Sequence, residues 1–350
     1  MLLTTTAAEA LERLGEFSVI DARSESEFAL DRLPGAVNWP SLTDAERILI
    51  GTEYVNASSF TAKKRGAALV ARNIATHIER EVLDKPKDWR PLVYCWRGGS
   101  RSGALATVLD HIGFRVHRLE GGYQAYRRAV IVALEALPAR FEYRVIAGST
   151  GSGKSRLLQV LRAQGAQVLD LEALANHRGS VLGLVPGSPQ PGQKQFDSRV
   201  FETLHGFDPA RPVYVESESK KIGDVRVPLA LIERMRASPC LRLELPLDAR
   251  VQLLLNEYDF FVVDTAAFCQ RLDALRATRG HDVVNGWQAA AHAGRTPEVV
   301  RELLVQHYDP VYAQSLKRNF AGEGEHLAEI AWDGSEASLA TAAAAALHAG

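Results

Sequence analysis

The sequence predicts an α/β protein with two parallel-sheet domains, and three observations lead to that fold class. Short apolar runs rich in Val, Ile or Leu alternate with longer segments of helical periodicity, a pattern typical of parallel sheets. This alternation occurs twice, with a break near residue 140, and from about residue 248 onward the pattern is helical. With 350 residues and 46% hydrophobic content, the chain can form two cores. We therefore expect one domain over residues 1–138 and a second, ending in helices, over residues 139–350.

The predicted strands are short and each is followed by a turn or a polar segment. They are "FSVIDAR" and "PLVYC" in the first domain, and "YRVIAGS", "AQVLDL", "PVYVESES" and "CLRLELP" in the second. Helix-like segments such as "SGALATVLDHIGF" and "KSRLLQVLRAQG" separate them. The segment "YQAYRRAVIVALEALPAR" (123–140) is predicted to be one helix that runs into Pro138, after which a strand opens near Tyr143. This helix therefore closes the first domain.

Composition and charge exclude several classes of protein. The formal net charge is -1, so a polyanionic partner would have to be bound by local basic patches. The N-terminus has no basic leader followed by an apolar core, and no run of about 18 apolar residues occurs, so we expect a cytoplasmic protein. The three cysteines, Cys95, Cys240 and Cys269, form no CxxC pair, which argues against a zinc knuckle or a disulfide framework. Cys240 and Cys269 lie in apolar patterns and are predicted to be packed.

One cysteine lies in an unusual environment. Cys95 follows the apolar strand "PLVY" and precedes a loop rich in glycine and arginine, which leads into a helix. The thiol loop, residues 95–102, contains Cys95, Trp96, Arg97, Gly98, Gly99, Ser100, Arg101 and Ser102. Loop N–H groups, a helix N-terminus, Arg97 and Arg101 would favour a thiolate, because cysteines in such positions have pKa values of about 3.5 to 7.5 against about 8.5 when free. The pattern predicts a reactive thiolate in an anion-binding loop.

Two flanking segments resemble the rhodanese family. "VIDARSESEFALDRLPGAVNWP" (19–40) is similar to its opening pattern and "VHRLEGGYQAYRRA" (116–129) to its closing L-x-G-G segment, with a helical insertion over about 41–85. The resemblance implies a rhodanese-like fold and a cysteine that carries transferable sulfur or selenium. The spacing from Cys95 to Arg101 is C-x5-R, one residue longer than in most sulfurtransferases and equal to rhodanese-like phosphatases. Phosphatase chemistry and a phosphorus-bearing chalcogen donor both remain open, although Asp21 is only a weak candidate for the general acid.

A second anion-binding motif begins the second domain. "VIAGSTGSGKSRLLQVL" (145–161) has the G-x4-G-K-S spacing between an apolar strand and a helix. The phosphate loop, residues 148–155, contains Gly148, Ser149, Thr150, Gly151, Ser152, Gly153, Lys154 and Ser155. Its N–H groups would bind phosphates, Lys154 would neutralise their charge and Ser155 would hold Mg²⁺. Glu216 and Glu218, at the end of the strand "RPVYVESES", are candidates for metal or diphosphate support. No nucleoside-base motif follows, so a non-nucleotide diphosphate is an alternative ligand.

Three further segments extend the pattern. They are "HRGSVLG" (177–183), "PQPGQKQF" (189–196) and "VESESKKIG" (215–223). Together with both loops, in this order, they resemble the bacterial tRNA 2-selenouridine synthase family over nearly the whole chain. The resemblance implies that 2-thiouridine at the wobble position of tRNA is converted into 2-selenouridine. It further implies that geranyl diphosphate first alkylates the sulfur, that selenophosphate then supplies selenium, and that an enzyme supplying selenophosphate is a possible partner.

The resemblance leads to two hypotheses about the site residues. The first is that the phosphate loop binds the diphosphate and the thiol loop binds selenophosphate, with Cys95, Arg97, Arg101 and Lys154 as catalytic residues. The second is that basic residues near the loops form the tRNA footprint, namely Arg178, Lys220, Lys221, Arg226 and the run "YRR" (126–128). Aromatic residues that could stack a base, line a prenyl pocket or pack in the core are Trp39, Trp96 and Tyr123.

Other functions remain open on the sequence alone. A P-loop kinase or NTPase with a regulatory rhodanese module would turn over nucleotide without tRNA, and Cys95 would then be a sensor. A tRNA sulfur-relay adaptor would bind tRNA and use the phosphate loop only to sense nucleotide. The sequence does not distinguish thiol transfer from selenium transfer, and only the full-length resemblance selects selenium.

Overall fold

The computed structural model describes residues 2–56, 58–180, 182–183, 187–319 and 326–349. The chain forms two compact units. The first contains Met1–Leu134 together with Pro191–Glu202, and the second contains Glu135–Gln190 and Thr203–Gly350. The division expected at residue 138 did not assign residues 191–202 to the first unit.

The first unit contains a five-stranded parallel sheet. Its strands are β1 (Leu2–Thr5), β2 (Ser18–Asp21), β3 (Val37–Asn38), β4 (Pro91–Tyr94) and β5 (Val116–Leu119). They lie in the order β1-β5-β4-β2-β3, and all the pairs are parallel. The middle strand β4 is buried along its whole length, as expected for a parallel sheet covered on both faces. Cys95 follows this strand directly, so the fold places the thiol at the carboxyl edge of the sheet.

Helices of the first unit cover this sheet. They are α1 (Ala7–Glu12), α2 (Glu25–Leu30), α3 (Asp44–Asn56), α4 (Ser59–Glu81), α5 (Ser100–Ile112) and α6 (Gly122–Ala136), with a 3₁₀ turn at Leu14–Glu16. A second 3₁₀ turn, Leu137–Arg140, follows α6 and belongs to the second unit. The helices α3 and α4 form the predicted insertion and pack against each other. The helix α6 ends at Ala136, and a 3₁₀ turn that contains Pro138 follows it. Trp39 is 6% exposed and its ring lies 6.1 Å from that of Trp89, so it belongs to the core.

The second unit contains another five-stranded parallel sheet. Its strands are β6 (Tyr143–Ala147), β7 (Gln167–Leu169), β8 (Val213–Glu216), β11 (Cys240–Glu244) and β12 (His326–Ala331), in the order β12-β11-β6-β8-β7. A separate antiparallel hairpin joins β9 (Lys221–Ile222) to β10 (Val225–Arg226). The strand β6, which leads into the phosphate loop, lies in the middle of the sheet. The helical pattern expected after residue 248 is confirmed, and the strand β12 lies within it, where β11 pairs with this distant segment along its free edge.

Helices form the rest of the second unit. They are α7 (Lys154–Ala163), α8 (Leu171–Leu174), α9 (Gln193–His205), α10 (Leu229–Arg236), α11 (Leu247–Glu257), α12 (Asp259–Val263), α13 (Thr265–Leu272), α14 (Arg276–Arg279), α15 (His281–His292), α16 (Thr296–Glu302), α17 (Asp309–Asn319) and α18 (Glu336–His348). A 3₁₀ turn covers Asp273–Leu275 and a π-helical turn covers Leu303–Tyr308. The first ten residues of α9 belong to the first unit. Among the described residues, no helix combines the length and the apolar character needed to span a membrane.

Candidate functional site

The thiol loop holds Cys95 in a buried position beside the start of a helix. Cys95 is 3% exposed, and the Ser102 hydroxyl donates a hydrogen bond to its sulfur over 3.1 Å. The helix α5 begins at Ser100, with Gly99 as its N-cap, so Ser102 lies in its first turn. The sequence-predicted neighbours of the thiol are therefore brought together around the N-terminus of α5. Such a terminus favours bound anions.

The L-x-G-G segment fixes the backbone of this loop. Gly98 and Gly122 both have positive φ values, of 66° and 58°. A Cβ at Gly122 would collide with the Cys95 carbonyl oxygen and the Gly98 nitrogen, so no larger residue fits there. The Tyr123 N–H also donates to the Cys95 carbonyl over 2.8 Å. The close approach of these two glycine segments sets the position of the sulfur.

The two arginines of the thiol loop have different environments. Arg97 is exposed to solvent and is therefore accessible to an anion. Arg101 is half-buried and pairs with Glu27, with Nη1 to Oε2 at 2.7 Å. Glu27 also accepts hydrogen bonds from Ser24 at the start of α2. Arg101 is thus held by a carboxylate that the sequence did not reveal.

A segment distant in sequence completes the surroundings of the thiol loop. The Trp96 and Tyr123 rings stack, with centroids 5.3 Å apart, and Lys194 Nζ lies 6.0 Å from the Trp96 ring. Lys194 comes from α9, in the "PQPGQKQF" segment. Both the Tyr123 hydroxyl, over 2.7 Å, and the Ser198 hydroxyl, over 3.2 Å, donate to Asp31 Oδ2. Sequence reasoning singled out the segment but did not assign Lys194 to the thiol site.

Several first-unit residues have structural roles. Asp21 is fully buried in an ion pair with Arg23 at 2.6 Å and accepts a hydrogen bond from the Tyr94 hydroxyl at 2.7 Å. It therefore serves the core, and the phosphatase alternative loses its candidate general acid.

In the "YRR" run, Tyr126 is fully buried and Arg127 pairs with Asp197. Arg127 is half-buried and Arg128 is exposed, so Tyr126 belongs to the core and the two arginines remain predicted nucleic-acid contacts.

The phosphate loop lies between β6 and α7 and has the expected internal contacts. The Lys154 ammonium donates to the Gly148 carbonyl over 2.7 Å, and the Ser152 N–H donates to the Ser149 carbonyl over 3.0 Å. Gly151 and Gly153 have positive φ values of 76° and 88°. The backbone conformation therefore favours glycine at these two positions, of which Gly153 belongs to the motif.

Residues from the C-terminal third of the chain hold the loop from outside. Arg250 donates to the Thr150 carbonyl from Nε over 2.9 Å and from Nη2 over 2.7 Å, and it pairs with Asp309. The Trp332 indole N–H donates to the Ser152 carbonyl over 2.8 Å. The Gly148 N–H donates to the Tyr312 hydroxyl over 2.6 Å. Sequence reasoning missed Arg250, Tyr312 and Trp332, because nothing near the motif signals them.

A group of buried carboxylates lies beside the phosphate loop. The Ser155 hydroxyl donates to Glu172 Oε2 over 3.1 Å, and the Glu172 N–H donates to Glu216 Oε1 over 2.8 Å. Glu216 is 1% exposed, and its second oxygen has no hydrogen-bond partner. The metal-supporting role was predicted for Glu216 and Glu218, whereas the structure brings Glu172 to Ser155. The signal for Glu172 was its place just after the strand "AQVLDL", at the carboxyl edge of the sheet.

Burial changes the charge state of these carboxylates. It raises the pKa of Glu172, raises that of Glu216 well above its ordinary value, and raises that of Glu218 to about 8. Neighbouring carboxylates raise the pKa of Glu216 and Glu218 further, because like charges held this close cannot all ionise. Gly179, from "HRGSVLG", touches the same group: a Cβ there would collide with Glu172 Oε1 and lie 2.8 Å from Glu218 Oε1. Val181 of that segment lies outside the described residues.

These residues bear on the predicted Mg²⁺. Within the described ranges, no group of three or more His, Cys, Asp or Glu side chains is arranged to hold a metal ion. Mg²⁺ is usually bound by one or two carboxylates, with water and phosphate oxygens completing its coordination. The Ser155 hydroxyl, Glu172 and the unpartnered oxygen of Glu216 fit this chemistry, but only together with a phosphate ligand.

The phosphate loop opens onto a cavity of about 750 Å³. Its walls include the loop itself, Glu172, Arg178, Tyr258 and Tyr312. The Arg178 guanidinium lies 4.5 Å from the centre of the Tyr258 ring and donates to the Glu257 carbonyl. Arg178, predicted to contact tRNA, is therefore part of the cavity wall.

The other predicted tRNA contacts are exposed. Lys220 precedes the β9–β10 hairpin, and Lys221 and Arg226 lie opposite each other within it.

Comparison with known proteins matches both units. Residues 6–129 match the family model of the rhodanese-like domain, and residues 141–282 match that of the "tRNA 2-selenouridine synthase AAA domain". Three curated relatives are each named tRNA 2-selenouridine synthase. The Shewanella halifaxensis protein is 30% identical, with 95% of this chain and 99% of that protein covered. The Chromohalobacter salexigens protein is 31% identical, with coverages of 87% and 89%.

The third relative, from Nitrosomonas europaea, is 34% identical, with 70% of this chain covered. The match spans 64% of that relative, which is somewhat less than two thirds of its length. Each unit thus matches its own family model, and the order of the two units is that of the sequence prediction. With relatives of 30% and 31% identity covered over about nine tenths of their length or more, the chain belongs to the tRNA 2-selenouridine synthase family.

Proposed function

We propose that the protein converts 2-thiouridine at the wobble position of tRNA into 2-selenouridine, through an S-geranyl intermediate. The observation that carries this proposal is the presence of two separate anion-binding loops in one chain of this family. The thiol loop and the phosphate loop each lie at the carboxyl edge of a parallel sheet, where α/β proteins build their sites. One loop would bind each of two phosphorus-containing substrates.

The first step is alkylation of sulfur. The thiocarbonyl sulfur attacks C1 of geranyl diphosphate, a C–S bond forms, and the C–O bond to diphosphate breaks. The diphosphate leaves with the electron pair, and the nucleoside loses its N3 proton to solvent. Lys154 and the N–H groups of the phosphate loop stabilise the charge on the departing diphosphate. Mg²⁺, held by Ser155 with Glu172, would neutralise part of the same charge.

The second step replaces sulfur with selenium. Selenophosphate binds in the thiol loop, where Arg97, the N-terminus of α5 and Lys194 supply positive charge around Cys95. A C–Se bond forms at C2 of the base, the C–S bond breaks, and geranylthiol leaves. The P–Se bond of the donor is hydrolysed by water to give phosphate, so no oxidant or reductant is consumed. Cys95 contacts the bound selenophosphate and positions its selenium for attack on C2, and it forms no bond to selenium.

The tRNA partner would be bound by local basic residues, since the chain has a net charge of -1. The β9–β10 hairpin, with Lys220, Lys221 and Arg226, is the proposed contact, and an enzyme that makes selenophosphate is the proposed source of the donor. A tRNA substrate would place this activity in the cytoplasm.

Nucleoside mass spectrometry tests the proposal directly. The purified protein is incubated with 2-thiouridine tRNA, Mg²⁺ and geranyl diphosphate, and then selenophosphate is added. We expect a gain of one geranyl group and then the replacement of sulfur by selenium. An unchanged nucleoside would overturn the proposal: ATP turnover alongside it would favour a kinase, and tRNA binding without turnover would favour an adaptor.

A further inference from the structure

A small apolar recess lies next to the phosphate loop. Its volume is about 50 Å³, and side chains of the helical part of the second unit form most of its wall. The residues that define the recess here are Leu254, Tyr258, Phe261, Phe268, Val300 and Leu304. Phe261 and Phe268 also belong to the apolar cluster beneath it. Of the described residues, none with a charged side chain lines the recess.

The recess adjoins the cavity at the phosphate loop. Thr150, Leu254, Tyr258 and Tyr308 line both spaces, and Thr150 is itself part of the loop. A ligand with its phosphates on the loop would therefore bring an apolar chain next to the recess. The larger cavity is lined by hydroxyl and guanidinium groups, whereas the recess is lined mainly by carbon atoms.

The backbone around the recess is also irregular. Leu303, Leu304 and Tyr308 belong to the π-helical turn and line the recess. Single π-helical turns are frequent at functional sites, because the extra residue per turn opens space beside the helix. Here the widened turn lies on the apolar side of the phosphate-loop cavity.

We propose that this recess binds the hydrocarbon chain of a prenyl diphosphate while the phosphate loop binds its diphosphate. A nucleoside would fit poorly, because its ring nitrogens and hydroxyls would lose water against apolar walls. About 50 Å³ suits the far end of a ten-carbon chain, and the larger cavity accommodates the carbons near the diphosphate. The inference rests on the proposed function for the identity of the ligand. It concerns residues to which the proposed function gave no role.

Chain length gives the first test, with the unmodified protein. Each methylene group buried strengthens binding about fourfold, so a chain that reaches the recess gains more than one that stops short. We expect geranyl diphosphate to bind at least about tenfold more tightly than dimethylallyl diphosphate, and dimethylallyl diphosphate to bind about as tightly as inorganic pyrophosphate. Calorimetry with the three ligands measures this, and equal affinities would overturn the proposal.

A filled recess gives the second test. Val300, in α16, is half-buried and lines the recess but not the larger cavity, so Val300→Trp should block the chain and spare the loop. We expect geranyl diphosphate affinity to fall about tenfold or more and pyrophosphate affinity to stay within about twofold. The matched control is Val305→Trp, an exposed position that does not line the recess. Unchanged geranyl diphosphate affinity in a Val300→Trp protein that still binds pyrophosphate would overturn the proposal.

The two proposals fail in different ways. Chain-dependent binding without any change in the tRNA nucleoside would leave the recess assigned and overturn the proposed reaction. If tRNA were geranylated equally well by the Val300→Trp protein, and if ligand affinity did not depend on chain length, the proposed reaction would stand. The assignment of the recess to the hydrocarbon chain would then be overturned.

Discussion

Gly179 allows a backbone turn to lie directly against two buried carboxylates. Its φ is 67°, and a Cβ there would collide with Glu172 Oε1 and approach Glu218 Oε1 to 2.8 Å. Glu172 in turn holds the Ser155 hydroxyl. We therefore expect Gly179→Ala to displace the Glu172 carboxylate and to lower the rate of geranylation by about tenfold or more, measured by nucleoside mass spectrometry.

A control with the same backbone strain separates this effect from a general loss of stability. Gly165 has a φ of 85° and no atom within 4 Å of a Cβ, so Gly165→Ala introduces the strain without the collision. An alanine at positive φ costs about 1 kcal/mol. If Gly165→Ala lowered geranylation as much as Gly179→Ala at equal thermal stability, the collision with the carboxylates would not be the cause.

At the residue scale, local motifs could be predicted and long-range contacts could not. Lys154 and Cys95 were found because their surroundings are contiguous in sequence. Arg250 and Trp332 hold the phosphate loop from positions about 100 and 180 residues away, so no local pattern reveals them. Glu172 is an intermediate case. The strand before it was predicted, but the sequence does not show which of the carboxylates that follow a strand lies nearest Ser155.

The β9–β10 hairpin concentrates basic side chains in one element. Lys221 lies opposite Arg226, and both are exposed. Removing a single lysine–phosphate interaction should lower the magnitude of the slope of log K against log salt by about 0.7 to 0.9. We expect Lys221→Glu to weaken tRNA binding and to flatten this slope by about one unit, as measured by filter binding at several salt concentrations.

Lys87→Glu makes the same charge change at an exposed position in the first unit. If it flattened the slope as much as Lys221→Glu, the effect would reflect net charge and not a phosphate bound at the hairpin. If Lys221→Glu left the slope unchanged, the hairpin would not be part of the tRNA footprint.

The predicted helices and strands agree with the structure where the hydrophobic periodicity of the sequence is strong. The strands β4 and β6 and the helices after them were predicted because apolar runs and turn residues define them locally. The strand β12 was missed, since its short run follows a helical region and its role depends on pairing with β11. The place of residues 191–202 in the first unit was also missed, because the hydrogen bond from Ser198 to Asp31 joins residues 167 positions apart.

At the scale of the whole molecule, the chain combines two chemical environments. The thiol loop offers a buried sulfur beside a helix start, and the phosphate loop offers an ammonium group beside carboxylates that burial keeps partly protonated. The two environments differ in chemistry: the first contains the thiol of Cys95, and the second has no thiol among its described lining residues. This difference supports a division of the two proposed steps between the loops.

The division predicts opposite defects for two variants. Lys154→Ala should abolish geranylation of 2-thiouridine tRNA, because the departing diphosphate loses its main cation, yet it should still selenate tRNA supplied already S-geranylated. Cys95→Ala should geranylate at a near-normal rate and accumulate the S-geranyl nucleoside when selenophosphate is added. Cys269→Ala, at a buried position outside both loops, serves as the control for removing a thiol. Selenation by Cys95→Ala, or failure of Lys154→Ala on S-geranylated tRNA, would show that the loops do not divide the work in this way.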